Sequence, residues 1–149
     1  MRAEVSVATP TGPFTLVEEE GALVRAFWGA GGGAATALLL EAAAQVAAYI
    51  GGRLRRFDLP LRILGSDAQR AACAAMAAIP YGQVRTYGDL ARDLGVSAQA
   101  MGQLCGANPL PVIVPCHRVV GVAGLGGFSG AGGVETKAWL LRHEGGLLL

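Results

Sequence analysis

The segment PCHR, residues 115–118, contains the only adjacent cysteine and histidine in the chain. A cysteine acts as a nucleophile in its thiolate form, which needs a proton acceptor or a positive charge nearby. His117 directly follows Cys116, so in an extended segment the two side chains diverge, and a proton relay would need a water or a local turn. A histidine base also needs an acceptor on its other ring nitrogen, for which Glu135 and Glu144 are available.

Four roles for Cys116 stay open at this point: buried spectator, metal ligand, hydrolase nucleophile, or acceptor of a transferred group. The chain has three cysteines and two histidines, without a Cys-x-x-Cys or His-x-x-x-His pair, so we expect no metal. The odd number of cysteines argues against a disulfide framework and favours a reducing cytoplasm. Cys73 and Cys105 occupy apolar positions of predicted helices and are expected to be core residues.

Composition and charge place the chain among compact globular proteins. Its 149 residues are 52% hydrophobic and 15% charged, and the formal net charge is +1. Residues 66–149 carry six Lys or Arg against five Asp or Glu, without the basic excess typical of DNA-binding domains. If the protein binds DNA, it uses few charges, and salt should weaken binding only moderately. No signal peptide or membrane-spanning stretch is predicted.

The elements that must position Cys116 indicate an α+β protein of two domains, residues 1–65 and 66–149. In the first domain, the runs VSVAT, FTLVEE and LVRAFW are separated by turn residues and predict a three-stranded antiparallel meander. A helix over residues 34–50 ends at a Gly-Gly pair. The run RRFDLPLRI is predicted to be one more extended segment, at an edge because of Pro60.

The second domain is predicted to be mainly helical. Thr86, with Asp89 three residues on, opens one helix, and Gly95 closes it. Ser97 caps the next helix, AQAMGQLCGA. Two short helices joined by a tight glycine turn indicate a helix-turn-helix, a pattern that many helical hairpins share. A glycine-rich loop, GLGGFSGAGG, and a final helix containing ETKAWLLRHEG follow the PCHR segment.

Three motifs carry a family resemblance over residues 66–149: IPYGQVRTYGDLA, GANPLPVIVPCHRVVG and KAWLLRHEG. Their order and spacing resemble the O6-alkylguanine-DNA alkyltransferases, also called methylated-DNA–protein-cysteine methyltransferases. The resemblance implies DNA repair by direct transfer of an alkyl group from O6-alkylguanine to a cysteine that reacts once. It also implies a cytoplasmic monomer without a cofactor or an obligate protein partner. Residues 1–64 are compatible with the variable N-terminal domain of this family.

The resemblance assigns catalytic roles residue by residue. Cys116 matches the acceptor, His117 would draw its proton away through a water, and Glu144 would accept the other hydrogen bond of the histidine. Asn108 matches the asparagine that links the helix-turn-helix to the active-site strand through backbone hydrogen bonds. Tyr87 matches the tyrosine whose hydroxyl helps to neutralise the departing guanine and contacts the rotated phosphate.

The resemblance also implies how DNA is bound. The target nucleotide flips out of the duplex into the pocket. The helix Ala98 to Gly106 enters the minor groove, where small side chains permit close approach. Gln99 stands where the family usually has an arginine that fills the gap left by the flipped base, so we expect weaker binding or slower repair. The residues expected to contact DNA are Tyr87, Ser97, Ala98, Gln99, Ala100 and Gly102.

The expected guanine pocket includes the glycine-rich loop as a lid. Phe128 replaces the family tyrosine and keeps an aromatic wall without the hydroxyl. The backbone N–H of Ser129 is the expected hydrogen-bond donor to guanine O6. The loop is two residues longer than the family resemblance leads us to expect. The backbone carbonyls of Cys116 and Val119 would accept hydrogen bonds from the exocyclic amine of the guanine.

Three alternatives remain after the resemblance. An alkyltransferase-like protein would bind the lesion without transfer, although such proteins usually lack the acceptor cysteine. A helix-turn-helix regulator would explain the paired helices but not PCHRV or the terminal HEG. A cysteine hydrolase would normally separate its cysteine and histidine widely in sequence.

Overall fold

The computed structural model describes residues 2–34, 36–127 and 133–145. The chain divides into two compact units, Met1–Arg62 and Ile63–Leu149. Both strands and helices are present, and the α+β fold class predicted from the sequence is confirmed. Within the described ranges, the longest helix has 14 residues, and none is long and apolar enough to cross a membrane.

The first unit is built on the expected three-stranded antiparallel meander. Strands β1 (Arg2–Val7), β2 (Phe14–Glu19) and β3 (Ala22–Trp28) pair in the order β1-β2-β3. The central strand β2 is the most buried, and its Phe14, Leu16 and Val17 lie in the core of this unit. The meander therefore matches the turn signals in the sequence.

Helix α1 (Ala37–Ile50) covers strands β1 and β2. Its N-cap is Thr36, whose hydroxyl oxygen accepts a hydrogen bond from the backbone N–H of Leu39 at 3.1 Å. The segment around Pro60, predicted to be extended, forms no strand. It makes only an isolated parallel bridge to β3, in which Pro60 accepts from the N–H of Leu23 at 2.9 Å. Proline has no N–H to extend a ladder.

The second unit is mainly helical, as predicted. Its helices are α2 (Asp67–Ala77), α3 (Tyr87–Leu94), α4 (Ala98–Gly106) and α5 (Val134–Glu144). Two-residue strands β4 (Arg85–Thr86) and β5 (Val119–Val120) pair in parallel, and a 3-10 turn spans Cys116–Arg118.

Helices α3 and α4 form the expected helix-turn-helix. Thr86 and Asp89 make a complete capping box at the start of α3. Gly95, at φ 69°, ends α3 in the left-handed conformation that glycine adopts without a Cβ clash. Ser97 caps α4 through the backbone N–H of Ala100 at 3.0 Å. Short-range cap chemistry thus fixes the boundaries of both helices.

The β4–β5 pair is the element that the sequence did not predict. Arg85 pairs with Val119 and Thr86 with Val120. Because β4 leads directly into α3 and β5 follows directly after Cys116–Arg118, this pairing places Tyr87, the first residue of α3, beside the PCHR segment.

Candidate active site around Cys116

The loop that leads to Cys116 is held by Asn108. The amide Nδ2 of Asn108 donates to the carbonyl of Val114 at 2.9 Å, and its Oδ1 accepts from the N–H of Leu110 at 3.0 Å. Val112, between these contacts, has φ 73°, an unusual conformation for a β-branched residue. Asn108 is buried, so its amide replaces the backbone partners that this tight loop lacks.

Cys116 begins a 3-10 turn rather than an extended segment. The N–H of Arg118 donates to the carbonyl of Pro115 at 3.0 Å, which closes the turn. Cys116 and His117 are both buried, with exposed fractions of 5% and 0%. Because this segment is a turn and not a strand, the side chains of Cys116 and His117 need not point in opposite directions.

His117 and Arg118 share one buried carboxylate. His117 Nε2 lies 2.7 Å from Glu144 Oε2, and Arg118 Nε donates to Glu144 Oε1 at 2.8 Å. A second guanidinium nitrogen of Arg118 donates to Glu144 Oε2 at 3.0 Å, and the third donates to the carbonyl of Ile79 at 2.7 Å. This two-point contact fixes the plane of the carboxylate and therefore the direction in which it faces His117.

His117 is held as a neutral base. Burial lowers the pKa of His117, and the hydrogen bond and charge of Glu144 only partly oppose that shift. The Glu144 carboxylate accepts hydrogen bonds, so in the neutral ring Nε2 carries the proton. The other nitrogen, Nδ1, is buried and has no hydrogen-bond partner among the described residues. His117 thus keeps one unused proton-accepting atom.

Cys116 rests as a thiol. Burial raises the pKa of Cys116, while a hydrogen bond from Asn108 and the charge of Lys137 partly counteract it. A thiol reacts as a nucleophile only after it loses its proton. The site therefore requires a base to act during the reaction, rather than a thiolate that is permanently present.

Lys137, the single lysine of the chain, is a site residue that sequence reasoning missed, as it missed the role of Arg118. Its side chain is fully buried, and Nζ donates to the carbonyl of Val119 at 2.6 Å, the carbonyl of Gly127 at 3.1 Å and the hydroxyl of Tyr87 at 3.2 Å. Burial lowers the pKa of Lys137 to about 8, so the ammonium remains mostly charged at pH 7. Lys137 is the first residue of the family motif KAWLLRHEG, and that position was the signal by which it could have been found.

Tyr87 connects Lys137 to the open side of the site. Its hydroxyl accepts the hydrogen bond from Lys137, and burial raises the pKa of Tyr87, with smaller contributions from Cys105 and Cys116. The phenol is therefore protonated at neutral pH, and its O–H donates to the carbonyl of Gly127 in a long hydrogen bond of 3.5 Å. The backbone of Gly126 lies against the tyrosine ring.

A cavity of about 760 Å³ opens in front of Cys116. It is bordered by the start of α3, by α4 and by the loop after β5. No aspartate, glutamate, lysine or arginine is among the described residues that line it. They are Thr86, Tyr87, Gly88, Ala98, Gln99, Gly102, Cys105, Gly106, Cys116, Gly121, Val122 and Gly127.

Five of the expected site residues meet at this cavity, namely Tyr87, Ala98, Gln99, Gly102 and Cys116. His117, Glu144 and Asn108 are buried, and none of them lines the cavity.

The remaining expected residues have other places. Ser97 is exposed and Ala100 half-buried, and their contact is the α4 cap. Val119 is fully buried, and its carbonyl already accepts from Lys137. The expectations for Phe128 and Ser129 lie outside the described residues. In the described ranges, no cluster of three His, Cys, Asp or Glu could hold a metal ion.

A helix-turn-helix beside a buried cysteine and a neutral histidine is compatible with a DNA-binding domain that carries a reactive thiol. Comparison with known protein families points to the same kind of domain. Residues 67–146 match the family model described as 6-O-methylguanine DNA methyltransferase, DNA binding domain. The chain therefore belongs to the 6-O-methylguanine DNA methyltransferase family.

Individual relatives are similar over more of the chain. A methylated-DNA–protein-cysteine methyltransferase of Salmonella typhimurium is 50% identical over 109 residues, which are 70% of this chain and 63% of that relative. A methylated-DNA–protein-cysteine methyltransferase of Methanosarcina acetivorans is 42% identical over 108 residues, 70% of this chain and 68% of the relative. The matched part thus spans somewhat less than two thirds of the Salmonella protein.

Solved structures match both units. The O6-methylguanine methyltransferase of Mycobacterium tuberculosis aligns with a TM-score of 0.85 at 34% identity, over 100% of this chain and 96% of that chain. A Mycobacterium tuberculosis OGT in complex with DNA aligns with a TM-score of 0.85 at 34% identity, over 95% of this chain and 92% of that chain.

Proposed function

We propose that the protein repairs DNA by transferring an alkyl group from the O6 atom of guanine to Cys116 and is consumed in the process. The observation that carries this proposal is the buried Cys116 thiol on the wall of an open cavity, followed in the chain by His117 with its unused Nδ1. Family membership and the names of the relatives support the same activity. The protein is then a methylated-DNA–protein-cysteine methyltransferase that acts once.

The proposed step forms a bond between Cys116 Sγ and the alkyl carbon and breaks the bond between that carbon and guanine O6. The thiol proton passes through a water to His117 Nδ1, and Glu144 stabilises the imidazolium through Nε2. Because a thioether has no low-energy route back to a thiol, the product is a permanently alkylated protein. No cofactor takes part in this step.

Departing guanine carries negative charge, and Tyr87 with Lys137 is the pair proposed to stabilise it. The Tyr87 hydroxyl borders the cavity and accepts a hydrogen bond from the Lys137 ammonium. That contact orients the tyrosine proton away from Lys137 and makes it a stronger donor. Asn108 is proposed to keep Cys116 in place through the loop described above rather than to touch the substrate.

Double-stranded DNA is the proposed partner, held through its minor groove with the alkylguanine flipped into the cavity. Where α4 borders the cavity, Ala98 and Gly102 carry a small side chain or none and permit close approach. Gln99 is proposed to fill the place of the flipped base. Ser97 and Ala100 would contact the backbone through the start of α4.

Further contacts with the guanine are proposed at the edge of the cavity. The carbonyl of Val119 has one lone pair left after Lys137 and would receive the exocyclic amine together with the carbonyl of Cys116. Phe128 and Ser129 would supply the lid wall and the donor to O6. A cytoplasmic monomer suits three free thiols, which a reducing compartment preserves.

The test is to mix the protein with a duplex that carries one O6-methylguanine and to weigh its peptides by mass spectrometry. The expected result is one added methylene on the peptide that contains Cys116, one per protein molecule, with guanine restored in the DNA. Cys116→Ser should abolish the modification. Cys105→Ser is the matched control, because this second thiol borders the same cavity and should be dispensable.

Three other results would reject single-turnover transfer. Tight binding of the lesion with an unmodified Cys116 would make the protein a lesion-binding protein. Neither binding nor modification would favour the helix-turn-helix regulator. Release of many product molecules per protein would indicate a hydrolase.

A further inference from the structure

Val122 is the most exposed large hydrophobic residue among those the structure describes. Its exposed fraction is 93%, and the next highest is 55% for Leu40, in the first unit. Single exposed valines are common on protein surfaces, so exposure alone says little. Val122 differs in position, because it borders the cavity that contains Cys116.

A short turn holds this valine. Gly121 and Gly124 form an isolated antiparallel bridge, and the N–H of Gly124 lies 3.5 Å from the carbonyl of Gly121. The turn follows immediately after β5, which is paired with β4. Val122 is therefore presented at the rim on a segment that is anchored at its base to the ordered part of the unit.

The other described residues of the cavity wall carry no charge, so they offer no cation to the phosphates of DNA. Apolar side chains contribute to minor-groove binding in another way, by packing against deoxyribose carbons and between base edges. Such contacts need a protruding apolar group beside a smooth surface. Val122 provides the group, and the face of α4 with Ala98 and Gly102 provides the surface.

We propose that Val122 is a DNA-contacting residue, whose side chain packs against the sugar and base edges next to the flipped alkylguanine. This inference rests on the proposed function, since it places lesion-bearing DNA over the cavity. It assigns to an apolar contact part of the binding that other DNA-binding proteins obtain from cations.

The experiment compares Val122→Ser and Val122→Leu with the parent protein. Binding of an O6-methylguanine duplex is measured by fluorescence anisotropy in a Cys116→Ser background, so that it does not depend on transfer. Val122→Ser should weaken binding roughly three- to tenfold, the effect expected from the apolar area of one valine, and Val122→Leu should preserve or strengthen it. Val84→Ser is the matched control, because Val84 is 40% exposed but does not border the cavity.

A DNA-free measurement separates contact from damage to the site. Alkylation of Cys116 by iodoacetamide in the proteins that retain this cysteine should proceed equally with valine, serine or leucine at position 122. Equal DNA affinity across the series would overturn the inference, as would a loss of iodoacetamide reactivity that parallels the loss of binding. If the parent protein binds the lesion in a Val122-dependent manner but transfers nothing, the proposed function fails while the contact stands.

Discussion

The two sides of Cys116 differ in charge. The protein interior near it contains the Glu144 carboxylate, the Arg118 guanidinium and the Lys137 ammonium, all buried and all hydrogen-bonded. In front of it, the described residues of the cavity wall include no charged side chain. Most proteins show the opposite arrangement, with apolar groups inside and charged groups at the surface.

This contrast separates two tasks. Removing charges from water is costly, so buried ions persist only where several hydrogen bonds hold them, and such ions keep a fixed geometry. A fixed carboxylate can orient His117, and a fixed ammonium can orient Tyr87. The uncharged cavity side of Cys116 lacks such fixed ions. It is suited to recognition of a partner by shape and by apolar contact. The chemistry and the recognition of the site therefore depend on different forces.

The largest effect should come from breaking the buried ion pair. Glu144→Gln leaves Arg118 buried without its carboxylate, and we expect the free energy of unfolding to fall by about 3 kcal/mol or more. Asp93→Asn is the control, because Asp93 pairs with Arg85 at 2.8 Å on the surface, with side chains 55% and 41% exposed. That loss should be about 1 kcal/mol at most.

Urea unfolding of the two variants measures this difference. Glu144→Gln should also slow transfer to Cys116, because a neutral amide no longer stabilises the positive charge that His117 gains when it takes the thiol proton. If both variants unfold at the same urea concentration, the buried group contributes no more than a surface pair, and the contrast between the two sides of the site is wrong.

Sequence reasoning predicted the parts of this site that depend on local chemistry. Caps at Thr86 and Ser97 define the helix-turn-helix because each cap needs only neighbours three residues away. The family resemblance predicted a hydrogen bond between Glu144 and His117, and Glu144 Oε2 lies 2.7 Å from His117 Nε2.

The parts that depend on distant pairing were missed. The β4–β5 ladder joins residues more than 30 positions apart, and two-residue strands have no detectable period. Lys137 was missed because a lysine is normally exposed and because its three acceptors come from different segments of the chain. The segment at Pro60 was predicted to be extended and at an edge, and it makes a single bridge to the edge strand β3.

A smaller effect should follow from altering the contact between the Tyr87 ring and the loop backbone at Gly126. A Cβ at Gly126 would lie 2.7 Å from an atom of the Tyr87 ring, and Gly126 has φ 75°. Gly126→Ala should therefore cost about 1–3 kcal/mol through backbone strain and should displace Tyr87 or the loop. Gly124→Ala is the control, since its Cβ would meet nothing within 4 Å.

Thermal unfolding and the rate of transfer to Cys116 measure the two consequences. We expect Gly126→Ala to lower both and Gly124→Ala to leave both nearly unchanged. A normal transfer rate in Gly126→Ala would mean that the position of Tyr87 does not matter to the reaction, and the charged interior would then act without it.

The smallest effect concerns the uncharged front. Without a cation on the cavity wall, the logarithm of the DNA-binding constant should fall with the logarithm of salt concentration by a slope of about 2 or less. Gln99→Arg places one cation at the cavity and should steepen that slope by about 0.9 while strengthening binding at low salt. Gln103→Arg is the control, because Gln103 is exposed on the same helix but does not border the cavity.

Binding isotherms across a salt series measure the two slopes. A steep slope in the parent protein would place cationic contacts elsewhere on the chain, and equal slopes for the two arginine variants would show that DNA does not lie over the cavity.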